Sequence, residues 1–478
     1  MTTLTFYGGI DEIGGNKILL EDSGTRILLD FGLSFSRMAE YYAEFLQPRT
    51  PSGLGDYLEF ELLPRLEGIY REDLLKPAGV AYAEPTVDAV LLSHPHMDHA
   101  GCISFLDWRI PLHCADVARR ILEAYQETSR AGFVGEICEG KIRPFGGEYV
   151  HSGKWEEFER KVMGPEEVKG LKVEAFGVDH STLGANGYMI YASQGVIAYT
   201  GDLRLHGPRA ELTREFVRAL SAEHVDVLII EGTRVEEREE NRFVRELAGE
   251  PQPKLGSEEE VRRKGLELVA STDQPVFVDF AIRDFDRLRT FYEVARRSGR
   301  KLVLPLKLAY YICELSDVIG IGPDDEDLIF YVEPKGLGTY DEREYMNWEK
   351  PLLGLGNSRR SDWVREHLDE LIVHLDYFSL QNLIDLKPKR GLYIHASSEP
   401  FSEEEAMDFR RFKNWLRHFN LGYRHLHASG HLSREEVFRI IKEVNPKHVI
   451  PIHTEGAEIF RKELQNVIMP KYGEPIKF

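Results

Sequence analysis

His94-Pro95-His96-Met97-Asp98-His99 decides the reading of this chain. Four of these six residues are candidate metal ligands. They follow the apolar run Val87-Asp88-Ala89-Val90-Leu91-Leu92, which reads as a buried strand. Three histidines so close on one loop repel one another if protonated and are poorly solvated if packed, and a bound dication resolves both problems. Other polar residues stand where further apolar runs end. Asp30 closes Ile27-Leu28-Leu29, His180 follows Val173 to Val178, Asp202 sits in Thr200-Gly201-Asp202, and His453 follows His448 to Ile452. Strand ends are where distant side chains can converge. A two-metal hydrolase needs such a set: three imidazoles for one ion, mixed carboxylate and imidazole for the other, and one bridging carboxylate.

Composition bounds the rest. At 478 residues with 42% hydrophobic content, the chain can build more than one core. No apolar run reaches the length of a membrane span, and the first residues lack a basic-then-apolar leader pattern. Cys102, Cys114, Cys138 and Cys313 show no paired spacing and read as free thiols, so the cytoplasm is the expected compartment. A formal net charge of -20 has the wrong sign for a surface that holds nucleic acid everywhere, so a nucleic-acid reading requires a local basic patch.

Leu4 to Tyr7, Lys17 to Leu20 and Arg26 to Leu29 are expected to be strands joined as hairpins. The segment from Ser34 to Pro85 is long for a connection and is expected to fold as helices over the site. Asp116 to Ser129 has helical periodicity. Near Arg234 the pattern changes to strands alternating with helices. These are a helix from Glu258 capped by Ser257, a strand Pro275 to Phe280, a helix Asp284 to Arg297, a strand Lys301 to Leu304, and strands Leu371 to His374 and Gly391 to His395. That alternation means a parallel α/β sheet flanked by helices. The expected domains are 1–234, an inserted 235–398, and 399–478 completing the first. A helix Glu403 to Phe419, a strand His425 to Ala428, a helix Arg434 to Val444 and a strand Lys447 to Ile452 are expected in the last part.

The ordered motifs Asp30, His94-x-His96-x-Asp98-His99, His180 and Asp202 resemble those of the metallo-β-lactamase superfamily. Glu231 in Ile229-Ile230-Glu231-Gly232-Thr233, His431 in Ala428-Ser429-Gly430-His431 and His453 in Pro451-Ile452-His453 resemble the three further motifs of its β-CASP nuclease branch. The resemblance implies an α/β fold: an αββα sandwich with an inserted β-CASP domain. It implies two Zn2+ ions, with Mn2+ tolerated by the same ligands. His94, His96 and His180 would hold one ion, Asp98, His99 and His453 the other, and Asp202 would bridge. Asp30 would orient a ligand. Asp98, Glu231 and His431 would be the catalytic residues, with His431 donating a proton or steadying the phosphate and Glu231 orienting it.

The resemblance also bears on substrate. Branch members acting on RNA usually carry His at the third motif, so His453 points to single-stranded RNA as partner, with DNA and a homodimer left open and no membrane. Arg283 in Ala281-Ile282-Arg283 resembles a phosphate-contacting arginine, and the run Arg283 to Lys307 is basic overall. His395-Ala396-Ser397-Ser398-Glu399-Pro400 stands where the branch has a 5′-phosphate pocket, although the Gly and Asn of that run are missing. Ser397, Ser398 and His427 are the candidate phosphate contacts there. The expected activity is phosphodiester hydrolysis. The alternatives are a DNA nuclease of the same fold, a small-phosphoester hydrolase and a non-catalytic RNA-binding relative.

Overall fold

The computed structural model describes residues 1–43, 45–144, 155–236, 255–398 and 403–478. The chain forms two units. One comprises Met1–Leu205, Arg209–Glu237 and His431–Phe478, the other His206–Pro208 and Arg238–Gly430.

The first unit contains two sheets. In the first, strands Thr2–Gly8, Lys17–Asp22 and Thr25–Phe31 pair antiparallel. Ala89–Leu91 joins Thr25–Phe31 in parallel. In the second, Leu171–Gly177, Asn186–Ala192 and Gly195–Tyr199 run antiparallel, and Val227–Glu231 and His448–Ile452 are added in parallel. Alternation along each strand sorts side chains between layers. Ile18, Leu20, Ile27 and Leu29 of the first sheet pack against Tyr188, Ile190, Ile197, Ile229 and Ile450 of the second. Leu19, Leu28, Val90 and Leu92 face the other way, against the segment that follows Ser34. The outer face of the second sheet carries the helices Ala210–Glu223 and Arg434–Val444, whose Phe216, Leu220, Val437 and Ile441 pack on Met189, Leu228 and Val449. This is the expected αββα layering.

The 34–85 segment folds as short helices, among them Phe35–Tyr41, Gly55–Glu59 and Glu72–Leu75. It forms a layer of the core: Leu54, Tyr57, Leu63, Tyr70 and Leu74 are buried with Phe31 and Phe105. Buried Arg71 pins it through both oxygens of Asp73, at 3.0 and 2.9 Å, and through Glu136 at 2.9 Å.

The second unit is built on a parallel sheet of seven strands. Val276–Asp279 lies between Leu371–His374 and Gly391–His395. The seventh strand is Leu421–His425, parallel to Gly391–His395, and it corrects two expectations. The strand expected at His425 to Ala428 begins four residues earlier. The second unit also extends to Gly430 rather than ending at 398, because this edge strand takes its hydrogen bonds from the inserted sheet. The helix Glu403–His418 belongs with it, burying Phe409, Phe412 and Leu416 against Tyr393 and Leu421.

The basic run from Arg283 is also corrected. Arg287 is fully buried, donating to both Glu258 oxygens and to the carbonyls of Leu426 and Ala428. Arg300 is buried and donates to the carbonyls of Thr272, Gln274 and Leu371. Arg296 pairs with Asp327 at 3.0 Å. Arg287 and Arg300 are therefore spent inside the unit on a carboxylate and on main-chain carbonyls, while Arg296 is paired at the surface.

Candidate metal centre

Every candidate ligand sits at or just beyond a strand end of the first unit. Ala89–Leu91 leads into Ser93 and His94, and His96 opens the short helix Met97–Ala100 that carries Asp98 and His99. Gly32 lets this turn close on the neighbouring strand, since a Cβ there would lie 1.7 Å from the Asp98 carbonyl oxygen. His180 follows Leu171–Gly177, Asp202 follows Gly195–Tyr199, Glu231 ends Val227–Glu231, and His453 follows His448–Ile452. Asp30 and His453 both adopt φ of 55°, a left-handed conformation that non-glycine residues enter at a cost and that clusters at functional sites.

Two donor groups converge. His94 Nε2 and His180 Nε2 lie 3.2 and 3.1 Å from His96 Nδ1. A tetrahedral ion with bonds of about 2.0–2.1 Å needs nitrogens about 3.3 Å apart, so the three form a fitting face. The second group is Asp98, His99, Asp202 and His453. Asp202 Oδ2 stands 3.2 Å from His99 Nε2, 3.6 Å from His94 Nε2 and 3.8 Å from His453 Nε2, and so serves both groups. The His99 Nε2 and both Asp202 oxygens are buried without a hydrogen-bond partner. Orphaned atoms of this kind are expensive unless a cation meets them.

The electrostatics agree. Burial, reinforced by neighbouring imidazoles, pushes His94 and His180 well below the usual histidine range, so both present neutral lone pairs. Burial opposes ionisation of Asp98 and Asp202, but the surrounding imidazoles hold both carboxyls below the usual range. Burial opposes a charge on His99, yet Asp202, Asp98 and Asp30 raise it strongly. Neutral His94 and His180 beside ionised Asp98 and Asp202 suit a divalent cation, and a cation at His99 would have to displace its proton.

Behind the donors stand two hydroxyl–carboxylate pairs. Asp30 Oδ1 accepts from the Ser93 N–H at 2.7 Å, while Oδ2 accepts from Ser93 Oγ at 2.7 Å and Tyr199 Oη at 2.5 Å and faces His99 Nδ1 at 2.7 Å. Ser93 Oγ also lies 3.0 Å from His94 Nδ1. Across the site, Thr233 Oγ1 donates to Glu231 Oε2 at 2.7 Å and lies 2.9 Å from His453 Nδ1 and 3.2 Å from His431 Nδ1. His431 Nδ1 is 3.3 Å from Glu231 Oε1. Burial works against a proton on His431, but Glu231 and Asp202 push it up to about 9.

A β-lactamase superfamily domain matches residues 67–252, and a Zn-dependent metallo-hydrolase RNA specificity domain matches 418–470. The chain is a metallo-β-lactamase-fold, ribonuclease J-like protein. It is 22% identical over 473 residues to ribonuclease J of Pyrococcus abyssi, covering 95% of this chain and 90% of that one. It is 21% identical over 470 residues to ribonuclease J of Mycoplasma genitalium, covering 95% and 68%. A crystal structure of a protein of unknown function from Enterococcus faecalis V583 is 25% identical, with TM-score 0.74 and 99% of each chain covered.

In this metallo-β-lactamase-fold chain the structure brings Asp30, His94, His96, Asp98, His99, His180, Asp202, Glu231, His431 and His453 together. Arg283, Ser397, Ser398 and His427 belong to the other unit. There His425 Nε2 lies 2.9 Å from the Ser397 carbonyl and His395 Nε2 lies 3.3 Å from that of Ser398. His427 Nδ1 is buried without a hydrogen-bond partner. The expected Glu399-Pro400 part of that run lies outside the described residues. Sequence reasoning missed Ser93, Tyr199 and Thr233. Position beside His94 and two residues past Glu231 was the available signal for the first and last.

Proposed function

We propose that this chain is a metal-dependent ribonuclease that hydrolyses phosphodiester bonds of single-stranded RNA. The observation that carries the reading is the convergence of six imidazole and carboxylate donors around Asp202, backed by the Glu231–Thr233–His431 group. The RNA-specificity domain match and the ribonuclease J relatives favour RNA as the polymer, as does a histidine at position 453.

His94, His96 and His180 would hold one cation and Asp98, His99 and His453 a second, with Asp202 between them. The imidazole-rich set suits zinc, with manganese the alternative. Bound there, such ions would polarise a phosphate oxygen and acidify a water. Asp30 and Ser93 hold His94 and His99 so that each Nε2 points inward. Glu231 and Thr233 hold His431 by Nδ1, which leaves Nε2 to give a proton to the leaving oxygen. Arg283, Ser397, Ser398 and His427 are proposed contacts for substrate phosphates. Four free cysteines suit a reducing, cytoplasmic setting, and among the described residues no helix is long and apolar enough to cross a membrane.

The test is cleavage of end-labelled single-stranded RNA and DNA of one sequence by zinc- or manganese-loaded wild type and His96→Ala. RNA cleavage that disappears in the variant supports the reading. Cleavage of neither polymer, or cleavage indifferent to His96, rejects it.

A further inference from the structure

We propose that Thr233 is the positioning residue that sets the tautomer of His453 and the ring orientation of His431. A threonine hydroxyl has one proton and two lone pairs. Here the proton is committed, because Oγ1 lies 2.7 Å from Glu231 Oε2, a buried carboxylate that can only accept. The Glu231 carboxylate is itself fixed by the N–H groups of Thr233, at 3.1 Å, and Leu203, at 3.3 Å. The two lone pairs of Oγ1 therefore face His453 Nδ1 at 2.9 Å and His431 Nδ1 at 3.2 Å, and both nitrogens must carry hydrogen to complete the network.

The consequence differs for the two rings. His453 with hydrogen on Nδ1 presents a lone pair at Nε2, which lies 3.1 Å from Asp98 Oδ2 on the ligand side. His431 with hydrogen on Nδ1 is aimed by Thr233 and Glu231 together, and its Nε2 is turned away from them. The opposite tautomer would point a hydrogen from His453 Nε2 into the donor cluster and leave Oγ1 facing a bare nitrogen. The same device stands at the far side of the site. There Ser93 Oγ donates to Asp30 Oδ2 and faces Nδ1 of His94 at 3.0 Å and of His99 at 3.3 Å. Two hydroxyl–carboxylate pairs thus orient four imidazoles from opposite sides, and partners of this kind commonly change metal affinity or activity about 10- to 100-fold when removed.

The inference rests on the proposed metal-dependent reading, and the experiment separates the two. Wild type, Thr233→Ser and Thr233→Val are loaded with zinc, dialysed against a graded chelator series and assayed for retained zinc. The same preparations are then assayed for kcat and KM on single-stranded RNA. Loss of the hydroxyl should weaken zinc retention about 10- to 100-fold and lower kcat with little change in KM, while Thr233→Ser stays close to wild type. Should Thr233→Val fail to fold, Thr233→Ala makes the same comparison with a smaller side chain. Unchanged zinc retention in the hydroxyl-free variant overturns the inference, as does a Thr233→Ser variant as defective as Thr233→Val. If wild type cleaves no RNA the ribonuclease reading fails, yet zinc retention still decides the role of Thr233.

Discussion

Asp30 Oδ2 lies 2.7 Å from His99 Nδ1, and both side chains are fully buried. This carboxylate is the point through which the first sheet holds the donor loop. It also takes the hydroxyls of Ser93 and Tyr199, and Asn16 Nδ2 in turn donates to Tyr199 Oη at 3.0 Å. An amide cannot accept from this whole ring of donors, because one oxygen becomes an NH2 group facing them. Asp30→Asn is expected to cost about 3 kcal/mol of stability and to weaken zinc retention about 10- to 100-fold. Urea unfolding and metal content of the purified variant check both. Wild-type retention would show that Asp30 serves the fold alone.

Arg160 is fully buried and has no carboxylate partner among the described residues. Its guanidinium donates to the carbonyls of Ile103, Leu106, Asp107, Ile110 and Ile137 at 2.8 to 3.1 Å. It closes the loop region just after the donor turn. A lysine has three donors on a single nitrogen and cannot span five carbonyls. Arg160→Lys should therefore destabilise by about 3 kcal/mol or more, read as a shift in the urea midpoint at unchanged slope. A shift below about 1 kcal/mol, the usual range for one net hydrogen bond, would mean that water replaces the lost donors.

Burial pushes the Cys102 thiol up to about 11, with Lys17 pulling the other way. Unfolded, the thiol ionises near 8.5. A raised folded value means that the folded state holds the proton more tightly. Its contribution is complete below about pH 8.5 and falls as pH rises toward 11, by about 1.4 kcal/mol per pH unit. Cys102→Ala should show a shallower alkaline loss of stability than wild type over that window. Identical slopes would show that Cys102 ionises in the fold as it does unfolded.

The donor set was legible because its chemistry is rare. Imidazoles and carboxylates at the ends of apolar runs have few uses, so His94, His180, Asp202 and His453 stood out from a chain of ordinary strands. Ser93, Tyr199 and Thr233 did not, since serine, tyrosine and threonine are common and their role arises only from long-range pairing. Thr233 meets His431 across 198 residues and Tyr199 meets Asp30 across 169. The extent of the inserted unit was misjudged because Leu421–His425 is an edge strand with Gly422 and Arg424 exposed, which breaks the apolar pattern. Charge counting misread Arg287 and Arg300 because a sequence does not reveal that a guanidinium is turned inward to satisfy carbonyls. The 34–85 segment looked like a cover because its aromatics alternate with charges, yet Tyr57 and Tyr70 lie in the core.

The most direct measurement is a zinc titration of chelator-stripped protein, following bound metal and cleavage of labelled single-stranded RNA in the same samples. The account predicts no cleavage without metal and a rate that rises with occupancy. Protein saturated with zinc or manganese that leaves RNA intact, or stripped protein that still cleaves it, would contradict the account.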